Sequence, residues 1–277
     1  MVSLETAPTE FVEASGIRFA HRQLGHRQGT PLILLPHFTG TMDSWDPAVV
    51  NALAEHRPVI VFDNTGVGKS SGRTPDNVAQ MATDAENFMA ALGYFLHVDL
   101  LGFSLGGFVA QVLAVEKPHL VRKMILVGTA PRGGEEHLLK ALEEAHSHPE
   151  APDVRLPLFF TPSESSQTAG RAFLRRASVR TLDREPESGQ AVSEPQARAL
   201  IDWCATKDPD HSMLKAIDHP VLVLSGSDDA ILPDANAYLM FKQINNAQLI
   251  MYPDSGHAAL FQYPELFADH VRLFLDE

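Results

Sequence analysis

Six short, almost wholly apolar runs constrain this 277-residue chain most: Pro31–Leu35, Pro58–Phe62, Val98–Gly102, Met124–Val127, Val221–Leu224 and Gln248–Met251. A strand with one wet face alternates apolar and polar side chains. A run that stays apolar is buried on both faces, as in a parallel sheet covered by helices. Between the runs lie helix-period segments at Val78–Ala91, Leu105–Glu116, Ala235–Ile244 and Pro264–Leu275. The alternation predicts an α/β fold with a mostly parallel central sheet flanked by helices. Phe11–Ala14 and Ile17–Arg22, split by Ser15-Gly16, read as a leading hairpin. In such sheets functional groups gather in loops beyond the carboxyl ends of the strands.

The rhythm breaks between Pro131 and Ile217, where no comparable strand run occurs and Pro149, Pro152, Pro157, Pro162, Pro186 and Pro195 punctuate a charged, helical pattern. That is too long for a plain connection in a compact domain. It reads as an inserted helical lid over 131–217, set into a core formed by 1–130 and 218–277.

Net charge excludes some partners. At −13 the surface repels phosphate backbones and anionic headgroups, so neither nucleic acid nor membrane is expected. No stretch of about 18 apolar residues occurs, so no membrane span is expected. Met1–Phe11 does not read as a signal peptide. The single cysteine, Cys204, permits no internal disulfide and suits a reducing compartment. A cytoplasmic protein acting on a small molecule is the expectation; a homo-oligomer is compatible with it.

The chemistry centres on Gly102-Phe103-Ser104-Leu105-Gly106, which fits G-x-S-x-G between a strand and a helix. Small flanking residues allow a sharp turn that lifts a serine hydroxyl clear of the backbone. Ser104 would stand at a helix N-terminus, with the Leu105 amide facing a developing oxyanion. The bland alternative is a capping serine in a glycine-rich turn. A serine hydroxyl also needs a base, and the base an orienting carboxylate. Asp228 and Asp229 both follow the Val221–Leu224 run, and either could instead close the loop as a turn residue. His257 stands after Ser255-Gly256, beyond the Gln248–Met251 run.

Gly102 to Gly107 resembles the nucleophile elbow of the α/β-hydrolase superfamily, and the likeness covers nearly the whole chain outside the lid. The resemblance implies the order serine, acid, histidine. Gly226, Asp229 and Pro233 match the family's Gly-x-x-Asp-x-x-x-Pro, which selects Asp229 as acid; His257 matches its Gly-His loop and serves as base. In the loop after the first buried run the family commonly shows His-Gly-x, and Pro36-His37-Phe38 replaces it here. The register gives Phe38 the second oxyanion amide, beside Leu105. His37 either lines the pocket or is a structural hydrogen-bonding residue. Phe103, Phe159, Phe160 and Trp203 are pocket candidates, or simply part of a small lid core.

Other patterns carry less. Asp63-Asn64-Thr65-Gly66-Val67-Gly68-Lys69-Ser70 lacks the first glycine of a phosphate loop and resembles a structural turn of the same superfamily. His146 and His148, with His137 further off, lack the spacing of a metal site. No metal or cofactor is expected. Arg171, Arg175, Arg176 and Arg180 could anchor a substrate carboxylate, or form a solvated face paired with Asp183, Glu185 or Glu187. The expected activity is hydrolysis of a small-molecule ester or related acyl bond through an acyl-enzyme on Ser104. The alternatives are a cofactor-free haloperoxidase or perhydrolase, or a carbon–carbon bond hydrolase, on the same triad. A non-catalytic ligand receptor on a hydrolase fold stands apart from these in class.

Overall fold

The computed structural model describes residues 2–26, 28–133 and 153–277. Its centre is one eight-stranded sheet in the order β1-β2-β4-β3-β5-β6-β7-β8. The strands are β1 Glu10–Ala14, β2 Ile17–Leu24, β3 Leu32–Leu35, β4 Val59–Phe62, β5 Val98–Phe103, β6 Val121–Val127, β7 Val221–Gly226 and β8 Ala247–Tyr252. β1 and β2 form the antiparallel hairpin, and β2 pairs antiparallel with β4. Every pairing from β4 through β3 to β8 is parallel.

The apolar runs supply both faces of this sheet. Ile33 and Leu35 of β3, with Ile60 and Phe62 of β4, enter one cluster with helices α2 (Val78–Ala91) and α3 (Leu105–Glu116). Leu32, Leu34, Val59 and Val61 point the opposite way, against α1 (Pro47–Ala54) and the C-terminal helix. A period-2 backbone with both faces covered requires this doubling. Local chemistry starts the helices: the Asn77 side chain accepts from the Gln80 amide at the head of α2, and Asp46 accepts from Ala48 with Pro47 in the first turn of α1.

β6 begins at Val121, ahead of the expected Met124, because Arg122 and Lys123 are strand residues. Both are accommodated at the amino end of the sheet. Arg122 donates twice to the buried Asp99 carboxylate, at 2.8 and 2.6 Å, and Lys123 donates to the Phe274 carbonyl.

Between β6 and β7 the described chain is helical: α4 Arg155–Phe159, α5 Glu164–Ala177, α6 Gln190–Ala205 and α7 Ser212–Lys215. The chain closes with α8 Ala235–Gln243, α9 Ala259–Gln262 and α10 Pro264–Asp276. Buried polar contacts hold α5 and the chain after it to the rest. Arg176 forks onto the buried Asp46 carboxylate, with contacts of 2.9 and 2.6 Å. Arg180 donates to the carbonyls of Leu4, Glu5 and Ala7. Glu185 accepts from the fully buried Arg22, which also donates to Asp43 and Thr9. Among the described residues no helix is long and apolar enough to cross a membrane.

Candidate active site

Ser104 sits between β5 and α3 with φ 55° and ψ −119°, a strained conformation for a residue bearing a side chain. Surrounding contacts over-determine it. Its amide donates to Val127 O at 2.9 Å, and its carbonyl accepts from the Gly107 amide and the Thr129 hydroxyl, both at 2.8 Å. The glycine spacing has a direct steric cause. A Cβ at Gly102 would lie 2.5 Å from Gly106 O, and one at Gly106 would lie 2.0 Å from Leu35 O. The close approach at Gly106 seats the first turn of α3 against the end of β3. Leu105 thereby comes beside the loop Pro36-His37-Phe38, and the first amides of a helix have no partner within it.

His257 lies on the loop between β8 and α9. Its Nδ1 is 2.8 Å from Asp229 Oδ2, and both side chains are buried. The other oxygen, Oδ1, accepts from the Ile231 and Leu232 amides at 2.9 Å each. Asp228 is exposed and accepts instead from the Ser227 hydroxyl at 2.6 Å. His257 and Ser104 meet around the end of β6. Ser104 bonds to Val127, while the next residue, Gly128, is so close to His257 that an added Cβ would sit 2.7 Å from its carbonyl and 3.4 Å from Nδ1. The Phe103 ring, one residue before Ser104, is 5.2 Å from the His257 ring.

His37 joins the same cluster. Its ring meets Phe103 at 5.2 Å and Phe159 at 5.4 Å, both edge-on, and Phe159 is 5.9 Å from His257. Nδ1 of His37 is 2.8 Å from the Phe38 carbonyl. Burial, with smaller contributions from His257 and Arg155, lowers its pKa to about 4. Phe38 is half-buried. The adjoining Thr39, at φ 59°, is held by Gln196 Oε1, which accepts its amide at 2.6 Å, and by the Ser188 hydroxyl, which donates to its carbonyl.

The remaining expected pocket residues divide. Phe103 and Phe159 face the two histidines. Phe160 does not: its ring lies against Phe173 at 6.0 Å and over Gly170. Trp203 also departs from expectation. It stacks on Phe108 of α3 at 4.9 Å and belongs to the opposite core cluster from Phe103. Both are large apolar groups, Trp203 on α6 and Phe160 just past the end of α4, that pack against neighbouring helices. The arginine row divides: Arg176 and Arg180 make the ties described above, whereas Arg171 and Arg175 are exposed, Arg171 contacting Thr168 of its own helix.

The glycine-rich stretch after β4 is a structural turn. Both Asp63 oxygens accept backbone amides, from Met42 and Lys69, and a Cβ at Gly68 would strike that carboxyl group. Burial and the neighbouring Glu185 push the Asp63 carboxyl up. His137, His146 and His148 lie outside the described residues; among the described ones no cluster is suited to a metal. A 430 Å³ cavity opens elsewhere, lined by Arg73, Thr74, Gln80 and Arg198.

Three connections were not visible in the sequence. Gln196 supports Thr39. Glu185 joins Arg22. Asp254 accepts hydroxyls from Thr161, Ser163 and Ser165 at 2.6–2.7 Å, tying the His257 loop to the head of α5. Each spans about 90 residues or more, and no periodicity links the partners.

The sequence profile of the alpha/beta hydrolase fold matches residues 30–264. A candidate non-heme bromoperoxidase, BpoC, of Mycobacterium tuberculosis is 26% identical over 247 residues, covering 86% of this chain and 90% of the relative. A 2-hydroxy-6-oxo-6-(2'-aminophenyl)hexa-2,4-dienoic acid hydrolase of Metapseudomonas resinovorans is 26% identical over 96% of this chain and 90% of its own length. Among solved structures, an alpha/beta hydrolase fold protein from Chitinophaga pinensis superposes with a TM-score of 0.94 at 42% identity, covering 99% of both chains.

Proposed function

Because the chain belongs to the α/β hydrolase fold family, we propose that it is a serine hydrolase that cleaves a small-molecule ester or related acyl bond through an acyl-enzyme on Ser104. The observation that carries this reading is the buried Asp229–His257 pair, packed around the end of β6 against the strained Ser104 turn. Asp229 accepts from Nδ1–H of His257, so the imidazole presents Nε2 as a base.

In the proposed cycle His257 Nε2 takes the Ser104 proton as Oγ attacks the substrate carbonyl. The tetrahedral oxyanion is held by the amides of Phe38 and Leu105, and each such donor typically lowers the barrier by about 3 kcal/mol. The imidazolium then protonates the departing alcohol, leaving the acyl group on Oγ. A water that gives its proton to His257 attacks this ester, and the acid leaves as the proton returns to Ser104. Neither a metal nor a cofactor is needed for any step. Helices α4–α7 act as a lid in this reading. Ser104 is only 5% exposed, and Phe159 at the end of α4 packs against both histidines, so this segment roofs the site. We place the protein in the cytoplasm, with a small molecule as its partner.

Cofactor-free perhydrolysis and carbon–carbon bond hydrolysis use the same groups. They are the second reading, favoured by the names of the bromoperoxidase and dienoic acid hydrolase relatives. Acetate-dependent bromination and cleavage of a diketone analogue separate them from ester hydrolysis. Ser104→Ala tests the main reading. Hydrolysis of short p-nitrophenyl esters should vanish while the melting profile stays cooperative; unchanged turnover refutes it.

A further inference from the structure

His37 has no part in the cycle above, yet its ring shares both aromatic walls of the His257 imidazole. Its position resembles one where the family commonly carries glycine, so the imidazole is an addition to the site. The hydrogen-bonding state of the ring follows from its contacts. A carbonyl oxygen only accepts, so the nitrogen 2.8 Å from Phe38 O carries the proton. Burial keeps the ring neutral near pH 7. A neutral imidazole protonated at Nδ1 has a bare lone pair at Nε2. That atom is sealed from solvent, and among the described residues nothing donates to it. Phe103 and Phe159 present ring edges, which bring no strong donor. Arg155, whose charge bears on the ring, is bound to Asp153 at 2.9 and 2.6 Å. A buried acceptor without a donor is unfavourable, and this one lies across the same two aromatic rings from the His257 imidazole.

We propose that His37 is a specificity-determining residue whose Nε2 accepts a hydrogen bond from a substrate O–H or N–H, so that preferred substrates carry such a donor near the scissile carbonyl. The inference rests on the reading of Ser104 as nucleophile. Tight aromatic packing fixes the ring, so the acceptor is preorganised. A substrate whose donor is capped by methyl leaves it unmet, which is how a polar site rejects an apolar analogue.

The test uses matched ester pairs. On the acyl side these are p-nitrophenyl 3-hydroxybutyrate and 3-methoxybutyrate; on the alcohol side, 2-hydroxyethyl and 2-methoxyethyl butyrate. Wild-type protein should prefer the hydroxy member of at least one pair by about tenfold or more in kcat/KM, and His37→Leu should reduce that ratio to about two or less. Equal ratios in wild type and variant, as a purely structural or water-bound His37 gives, overturn the proposal. A second readout does not depend on folding of the His37 variant. In ¹⁵N-labelled Ser104→Ala protein, the His37 Nε2 resonance should shift on adding the preferred hydroxy ester and stay in place with its methoxy partner. Identical responses overturn the proposal. If wild type hydrolyses none of these esters, the titration is run with each hydroxy ester against its methoxy partner, and identical responses within both pairs overturn the proposal.

Discussion

Exchanging the Asp229 carboxylate for a carboxamide separates an orienting acid from a mere loop residue. In Asp229→Asn the two amides of Ile231 and Leu232, which donate to a single oxygen at 2.9 Å, demand an acceptor. The Asn oxygen must take that place, which turns its NH₂ toward His257 Nδ1. An amide nitrogen only donates. His257 must therefore accept at Nδ1 and carry its proton on Nε2, where it can no longer take one from Ser104. The same exchange in a serine protease triad lowers kcat by about 10⁴, roughly 5 kcal/mol of barrier; the loss here should be of that order. Volume and packing barely change, so the melting temperature should fall by only a few degrees. The assay is kcat/KM on p-nitrophenyl butyrate, with Asp228→Asn as the matched control. Asp228 is exposed and bonded to Ser227, so the control should stay within about twofold of wild type. The reasoning fails if Asp229→Asn keeps more than about a tenth of the activity, or if Asp228→Asn is the inactive variant.

Gly106→Ala should push the start of α3 off the Leu35 carbonyl, which an added Cβ would approach to 2.0 Å. Steady-state kinetics should show about 10²-fold lower kcat as the two oxyanion amides separate. Arg176→Met leaves the fully buried Asp46 carboxylate without its forked partner. Because Arg176 is itself part-exposed, urea denaturation should show a loss of about 2 kcal/mol, below that of a sealed pair. His37 titrates near 4 when folded against 6.5 when free, so it favours the fold fully above pH 6.5. That contribution drains away as the pH falls toward 4, by about 3 kcal/mol in all. His37→Leu should therefore lose less melting temperature than wild type between pH 7 and pH 4.

The sheet was legible because the burial of both faces leaves a mark at single residues: Leu32 and Leu34 pack one way, Ile33 and Leu35 the other. Helices α2 and α3 match their expected bounds because a cap or a tight glycine turn starts each one. Positions beyond the carboxyl strand ends could be read for Ser104, Asp229 and His257, since strand ends fix loops. Side-chain partners in the helical insertion could not. Arg176 and a substrate-binding arginine look the same in sequence, and only the fold shows that Asp46 waits opposite. Trp203 on α6 and Phe160 just past α4 are apolar residues of the helical insertion, and periodicity does not say which neighbour receives them. The start of β6 was missed because Arg122 and Lys123 interrupt the apolar run, their partners Asp99 and Phe274 lying on distant elements.

The most direct measurement of the central claim is reaction of the intact protein with a fluorophosphonate, followed by peptide mass spectrometry. The account predicts a single stoichiometric adduct on Ser104, formed far more slowly after Asp229→Asn and absent after Ser104→Ala. Labelling at another residue, or an inert Ser104 in folded protein, would contradict it.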